Sequence, residues 1–118
     1  MPQPQNTDLF TRIRALRDRD ERRLRAGDTE VETLLLLAKV SEEAGESVEK
    51  YRRSRGWGTD GVTNASATDV SDEVCATIMA GLVALDRICP NASAHWERYL
   101  AYGYERAARE NADVALES

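Results

Sequence analysis

The chain has 118 residues and a net charge of −5, with 42% hydrophobic and 31% charged residues, as expected for one globular domain. No apolar stretch is long enough to span a bilayer, and the first residues lack the basic and apolar regions of a signal peptide. We therefore expect a cytoplasmic protein without a membrane partner. A single histidine and two well-separated cysteines exclude the common zinc-site patterns.

Residues 7–25 are predicted to form the first helix, because apolar residues recur along one stripe: Leu9, Ile13, Leu16 and Leu24. This helix is arginine-rich, with seven arginines and three acidic residues between positions 12 and 25. Such a helix can contact nucleic acid, nucleotide phosphates or the acidic surface of another subunit. Because the acidic residues are interleaved and no aromatic side chain lies among them, we interpret it as a solvated face and do not expect nucleic acid as a partner.

The second helix is predicted to follow a break at Gly27 and Asp28. Thr29, with Glu32 three residues later, matches a capping box at its start. The helix is predicted to continue to about Arg53. It is expected to bury one apolar face: Leu34, Leu37, Ala38, Ala44, Val48 and Tyr51.

Residues 54–67 are rich in Gly, Ser, Thr and Asn around Trp57, which predicts a loop. Ser66 or Thr68 can then cap the third helix, with Asp69 favourable at its positive end. An apolar seam runs along that helix: Val70, Val74, Ile78, Gly81, Leu85 and Ile88. Pro90 separates it from a fourth helix that continues to about residue 111.

Helical periods account for almost the whole chain, so the predicted fold is all-α. We expect a four-helix bundle in a single domain of residues 1–118, with a core of about residues 29–111. A chain this short carries more apolar helix surface than it can bury alone. Oligomerisation is therefore expected to complete the bundle, as a homodimer or, alternatively, a tetramer.

Two acidic clusters lie on the second and third helices: Glu42, Glu43 and Glu46, then Asp69, Asp72 and Glu73. At about 3.6 residues per turn, the members of each cluster fall within roughly one turn. Carboxylates this close repel each other unless they are solvated, protonated or neutralised by a cation. Hard divalent ions such as Mg²⁺ favour oxygen ligands, so facing clusters predict a metal site; the alternative is a solvated charged face.

Residues 40–46 and 72–76 resemble the MazG-like all-α nucleoside triphosphate pyrophosphatases, whose signature is ExxE on one helix and ExxD on the next. Glu43 and Glu46 match the first half, and Glu73 matches the glutamate of the second half. The 26 residues between the two halves fit the separation in the family. The resemblance extends over about residues 31–100.

The resemblance implies an enzyme that uses Mg²⁺, with Mn²⁺ as a substitute, to hydrolyse a nucleoside triphosphate or its deoxy form between the α and β phosphates. The products are the monophosphate and pyrophosphate, and the role is removal of unwanted nucleotides. Bound Mg²⁺ would neutralise and orient the triphosphate and lower the pKa of an attacking water. The implied metal ligands are Glu43, Glu46 and Glu73. Glu42 and Glu43 are the candidate catalytic residues, with Glu42 as a further ligand or the residue that positions water.

Basic side chains bind the triphosphate in this family, and Lys39 and Lys50 lie on the same face of the second helix as Glu43 and Glu46. The alternative for both lysines is an ordinary i, i+4 ion pair with those glutamates. Trp57 in the loop is a candidate for stacking on a base, or alternatively an anchor that packs against the bundle.

Ala76 departs from the family pattern, because it stands where the family has the aspartate of ExxD. Three explanations compete. Asp72, one turn earlier on the same face, replaces the missing metal ligand; Asp69 and Asp72 form a DxxD motif in a shifted register; or the site is degenerate. The alternative function is therefore a catalytically weakened or inactive MazG-like helical protein that binds a nucleotide or a protein partner.

Overall fold

In a computed structural model of the chain, residues 8–117 are described, with side chains to residue 114. Four helices follow one another: α1 is Leu9–Leu24, α2 is Thr29–Ser54, α3 is Ala67–Ile88 and α4 is Ala92–Glu117. No strand occurs among the described residues, so the all-α prediction is confirmed. None of the helices in this part of the chain is long and apolar enough to cross a membrane.

An N-cap at Asp28 begins α2. Its carboxylate accepts hydrogen bonds from the backbone N–H groups of Glu30 (2.9 Å) and Val31 (3.1 Å). The predicted capping box of Thr29 and Glu32 is therefore wrong by one residue, since Thr29 is the first helical residue and Glu32 pairs with an arginine of α3. Asp28 takes the capping position because its side chain satisfies two N–H groups that have no partner within the helix.

Ser66 caps α3, as one of the two predicted alternatives. Its Oγ accepts a hydrogen bond from Asp69 N (3.1 Å), and Asp69 Oδ2 accepts one from Ser66 N (2.9 Å), which completes a capping box. The backbone and side-chain hydrogen bonds from Ser66 lower the pKa of Asp69 below its ordinary value. The Asp69 carboxylate is therefore held by the capping box at the start of α3.

α2 and α3 form an antiparallel hairpin, which is the most extensive helix contact in the described chain. Near one end Arg87 donates a hydrogen bond to the hydroxyl of Thr33, and towards the other end the hydroxyl oxygens of Ser47 and Thr77 lie 3.1 Å apart. α1 packs on α3. Together with the start of α4, these helices enclose a small core: Phe10, Ile13, Leu36, Val83 and Ala92.

The outer faces of α2 and α3 carry apolar residues that the sequence pattern assigned to the interior. Val48 is 63% exposed and Ile78 is 56% exposed. The prediction that α2 buries its apolar stripe is wrong for the single chain, because every member is exposed: Leu34, Leu37, Ala38, Ala44, Val48 and Tyr51. The hairpin buries Leu36, Ala80 and Ala84 instead. The small side chains of Ala80 and Ala84 let α2 and α3 approach closely. The face that packs in the hairpin is therefore not the most apolar face of the helices.

α4 contacts the other helices only near its beginning. Ala92 is buried and Trp96 packs partly against the core, whereas every described side chain from residue 97 to 114 is exposed. The exposed part includes three tyrosines: Tyr99, Tyr102 and Tyr104. Most of α4 therefore lies outside the core of the single chain.

Two ion-pair clusters that the sequence analysis did not anticipate join α1 to the hairpin. The Asp86 side chain is 0% exposed and lies 3.3 Å from Arg14 and 3.2 Å from Arg17. Arg87 lies 2.8 Å from Glu21 of α1 and also pairs with a glutamate of α2. The hydrogen bond with Glu21 raises the pKa of Arg87. Several arginines of α1 thus bind carboxylates of the protein itself rather than forming only a solvated face.

Asp86→Ala should lower the free energy of unfolding by about 1.5–3 kcal/mol, because it removes the charge-assisted contacts with Arg14 and Arg17 that join α1 to α3. The control is Glu49→Ala, which removes two exposed ion pairs at the end of α2 and should cost less than about 1 kcal/mol. Urea denaturation of both variants measures the difference. Equal losses would contradict the structural role of Asp86.

Candidate functional site

Three glutamates come together where α2 and α3 meet. Glu43 and Glu46 lie on α2 and Glu73 lies on α3, and each offers a carboxylate oxygen within 4.8 Å of those of the other two. Glu43 and Glu73 are half-buried and Glu46 is exposed, so the group sits at the edge of the helix interface. The two acidic clusters of the sequence therefore meet through these three side chains.

A pair of hydroxyl groups sets the register of the two helices beside the glutamates. Ser47 Oγ lies 3.1 Å from Thr77 Oγ1 across the interface. Ser47 Oγ is also 3.1 Å from the carbonyl oxygen of Glu43, and Thr77 Oγ1 is 2.9 Å from that of Glu73. Each hydroxyl is thus tied to the backbone of its own helix, at a glutamate one turn earlier.

The carboxylate of Glu73 has a buried oxygen, Oε2, without a hydrogen-bond partner among the described residues. A buried polar atom without a partner costs free energy, and more so when it carries charge. None of the ion pairs in the same part of the chain involves Glu43, Glu46 or Glu73. A cation between them would supply both the missing partner and the neutralising charge, and oxygen ligands fit a hard divalent ion such as Mg²⁺ or Mn²⁺.

Glu42 and Asp72, the other acidic residues of the predicted site, lie outside this group of three. Both side chains are exposed. The structure does not bring the Asp72 carboxylate together with the three glutamates, so its role as a replacement ligand stays a prediction. The same holds for Glu42 as a residue that positions water.

Ala76 lines a cavity of about 80 Å³ on the α1 side of the glutamates, which we call the Ala76 cavity. The other lining residues are Arg19, Asp20, Lys39, Glu43, Met79, Ala80 and Val83. Lys39 Nζ lies 3.9 Å from Asp20 Oδ2, and no ion pair joins Lys39 to Glu43 in the described chain. Lys39 therefore faces the cavity with a partner from α1 rather than forming the i, i+4 pair along α2.

Arg19 and Asp20 were missed by the sequence analysis. Asp20 is only 8% exposed, and it falls on the apolar stripe of α1 between Leu16 and Leu24. A charged residue within an apolar stripe is buried with its partners or turned towards a site, because burying it alone is costly. The aspartate within the apolar stripe of α1 is therefore the sequence signal that could have identified this position.

A larger cavity of about 300 Å³, which we call the Lys50 cavity, lies on the other side of the glutamates. It is lined by Glu46, Glu49, Lys50, Arg53 and Glu73. Lys39 precedes Glu43 by one turn of α2, whereas Lys50 follows Glu46 by one turn. The two lysines therefore line different cavities on either side of the carboxylates.

Trp57 lies in the loop after α2, where its side chain is 58% exposed. Its ring meets Tyr51 edge-on with 5.9 Å between centroids, and the guanidinium of Arg55 lies 5.6 Å from its centroid. These contacts fit a loop anchor at the end of α2. Trp57 lines neither the Ala76 cavity nor the Lys50 cavity, so base stacking stays a prediction.

Comparison with known proteins adds no assignment to this site. No protein-family model, no curated protein and no solved structure matches the chain. The residues of the site are therefore the ground for a functional proposal.

Mg²⁺ or Mn²⁺ at millimolar concentration should raise the Tm, because an ion that binds only the folded state stabilises it, by about 2.7 kcal/mol at 100 times its Kd. Glu73→Gln should remove most of this shift. Glu105→Gln, on the exposed part of α4, should keep it. Thermal melting with and without metal measures the effect, and an unchanged Tm for the parent chain would contradict a metal site here.

Proposed function

We propose that the protein is a Mg²⁺-dependent nucleoside triphosphate pyrophosphohydrolase that converts a ribo- or deoxynucleoside triphosphate into the monophosphate and pyrophosphate, in nucleotide-pool house-cleaning. The observation that carries the proposal is the meeting of Glu43, Glu46 and Glu73, with the buried Oε2 of Glu73 lacking a partner. The same three residues match the MazG-like signature in the sequence. The motif and the geometry thus support one site.

Glu43, Glu46 and Glu73 would hold the ion through their carboxylate oxygens. The ion would supply charge neutralisation for the triphosphate and a water with a lowered pKa. Glu42 lies next to Glu43 on the solvent side, where it is suited to orient that water or to accept its proton. Lys39 and Lys50 lie on the two sides of the carboxylates and supply positive charge for the phosphates.

The parent chain should release pyrophosphate from at least one member of a panel of ribo- and deoxynucleoside triphosphates in the presence of Mg²⁺ or Mn²⁺. Glu46→Gln should lower this rate by about a hundredfold, since even outer partners of metal ligands typically contribute 10- to 100-fold. Glu97→Gln on α4 is the matched control. Asp72→Ala in the same assay decides whether Asp72 acts as a ligand, because only then does it cost most of the activity.

A catalytically weakened or inactive protein that binds a nucleotide or a protein partner is the second candidate. The observation that favours it is Ala76, whose methyl group lines the cavity beside Glu43 where the family motif has a carboxylate. Such a protein would keep the metal-dependent rise in Tm and would still bind nucleotides. Absence of pyrophosphate release across the whole panel would select this alternative over the enzyme.

We also propose that the protein acts as a homodimer, with a tetramer as the alternative, through the outer face of the hairpin. Ser47 of α2 and Thr77 of α3 face each other across the hairpin. Val48 follows Ser47, and Ile78 follows Thr77. One residue turns the helix by about 100°, and in an antiparallel pair both turns lead to the same side. Seven of the exposed large apolar residues of the two helices thus form one surface, opposite the side that α1 covers: Leu34, Leu37, Val48, Tyr51, Val74, Ile78 and Ile88.

Light scattering at micromolar concentration should report a dimer for the parent chain. Ile78→Asp should shift it to a monomer, because a charge at the centre of an apolar interface must be desolvated without a partner. Val114→Asp replaces an equally exposed apolar residue far along α4 and should leave the dimer intact. A monomeric parent chain would refute the assembly.

A further inference from the structure

Two cationic side chains from different helices, Arg19 of α1 and Lys39 of α2, line the Ala76 cavity beside Glu43. We propose that this cavity binds the β and γ phosphates of the nucleoside triphosphate, with Arg19 and Lys39 as ligands of the phosphate oxygens. The inference rests on the proposed function, because it gives a direction to the substrate of that same site. The nucleoside end then lies on the side of the Lys50 cavity.

Asp20 holds both cations at the cavity without neutralising both. Its side chain is 9% exposed, and its Oδ1 accepts hydrogen bonds from Nε (3.2 Å) and Nη2 (3.1 Å) of Arg19. Its Oδ2 lies 3.9 Å from Lys39 Nζ. Glu43, the other carboxylate of the lining, is a ligand of the proposed metal ion, so Asp20 alone is left to compensate the two positive charges and neutralises only one of them. The remaining charge favours an anion, and phosphate oxygens suit both an arginine fork and a lysine ammonium.

The sizes of the two cavities assign the two ends of the substrate. The Ala76 cavity, of about 80 Å³, is too small for a nucleoside, and only phosphate groups seated at its mouth can reach its two cations. The Lys50 cavity, of about 300 Å³, reaches the lower end of the range of roughly 300–1,000 Å³ found for small-molecule sites. Only the Lys50 side has room for a sugar and part of a base.

The order of side chains along α2 places the bond to be broken over the carboxylates. Lys39, Glu43, Glu46 and Lys50 follow one another at intervals of one helical turn or less, with the two lysines outermost. A triphosphate lying along this row has its terminal phosphates at Lys39 and its α phosphate near Glu46. The α–β bridge then falls next to the site proposed for the metal ion.

This direction gives Arg19 and Lys39 a role in the reaction. Water adds its oxygen to the α phosphorus and gives up a proton to a neighbouring carboxylate, and the bond from that phosphorus to the bridging oxygen breaks. The bridging oxygen keeps the electron pair and leaves as part of pyrophosphate. Negative charge therefore grows on the group that Arg19 and Lys39 bind, and fixed cations stabilise charge that develops in the transition state.

The alanine at position 76 provides the space for these phosphates. An aspartate there would place a carboxylate in a cavity that already has Asp20 and Glu43 in its wall. It would occupy part of the volume and repel phosphate oxygens. The departure of this chain from the family motif therefore turns a position for a metal ligand into room for substrate.

Calorimetric titration with inorganic pyrophosphate in the presence of Mg²⁺ tests this assignment. Arg19→Gln and Lys39→Met should each weaken pyrophosphate binding by about tenfold or more, since a hydrogen bond to a charged group contributes roughly 1.5–3 kcal/mol. The control is Arg23→Gln, which removes an exposed arginine one turn further along α1 and should change the affinity by less than about twofold. A Tm close to that of the parent shows that each variant is folded.

Titration with the four common nucleoside monophosphates tests the other end of the substrate, the nucleoside end at the Lys50 cavity. Arg19→Gln and Lys39→Met should leave monophosphate binding within about twofold of the parent, whereas Lys50→Met should weaken it by about tenfold. Ala76→Asp should change two affinities in opposite directions. It should raise the affinity for Mg²⁺, measured by the metal-dependent rise in Tm, and lower the affinity for pyrophosphate.

Pyrophosphate binding that is absent in the parent chain, or unchanged in both Arg19→Gln and Lys39→Met, would overturn the inference. So would the reverse pattern, with Lys50→Met weakening pyrophosphate and Arg19→Gln weakening the monophosphates. Turnover of the parent chain on the nucleotide panel decides the proposed function separately. If the parent chain is active but its affinity for pyrophosphate is unchanged in Arg19→Gln and Lys39→Met, the proposed function stands and only the proposed direction of the substrate is refuted.

Discussion

The register of α2 against α3, marked by the contact between Ser47 and Thr77, determines where the rest of the site lies. The two hydroxyl groups meet at 3.1 Å in the middle of the hairpin, and each also contacts the carbonyl oxygen of a glutamate one turn earlier. Because α2 and α3 are antiparallel, a shift of either helix by one turn would carry Glu73 past Glu43 and separate the three carboxylates. Small buried side chains such as Ala80 allow this close approach. The register of the hairpin is thus also the geometry of the proposed metal site.

Two groups of carboxylates in the described part of the chain differ in their partners. At the end of the hairpin where α1 packs, Asp86 and Glu21 lie within 3.5 Å of guanidinium nitrogens. Near the Ser47–Thr77 contact, Glu43, Glu46 and Glu73 approach each other, and none of the ion pairs in the described part of the chain includes any of them. Charged groups that serve only stability are expected to be paired, because an uncompensated buried charge is destabilising. The unpaired group is therefore the one that calls for a ligand.

The sequence was sufficient to predict the helices and the group of three glutamates. It was insufficient to predict which faces of the helices pack together. Helical periods and turn residues identify four helices, three of them within about two residues of their ends, whereas α4 runs to Glu117 and was predicted to end at about residue 111. A repeat of one turn brings Glu43 and Glu46 to one face. The buried face of α2 was assigned wrongly, because apolar periodicity identifies the most hydrophobic stripe and not the partner that covers it. Leu34 and Val48 belong to that stripe and are exposed in the single chain. The ion pairs of Asp86 depend on the packing of α1, which no local pattern encodes.

The electrostatics of the site relate Ala76 to the arginine-rich first helix. Three glutamates exceed the charge of one divalent ion by one unit, and a fourth carboxylate at position 76 would raise the excess to two. The proposed substrate is itself an anion, so each added carboxylate would have to be offset by another cation near the phosphates. In this chain α1 brings Arg19 to the cavity beside Ala76. In the proposed site, an alanine at position 76 that faces an arginine would raise the affinity for phosphate and lower the affinity for metal. That exchange is physically consistent with catalysis on a metal held by three ligands, and it is equally consistent with a protein that only holds a nucleotide. Turnover, rather than binding, is therefore the property that separates the two.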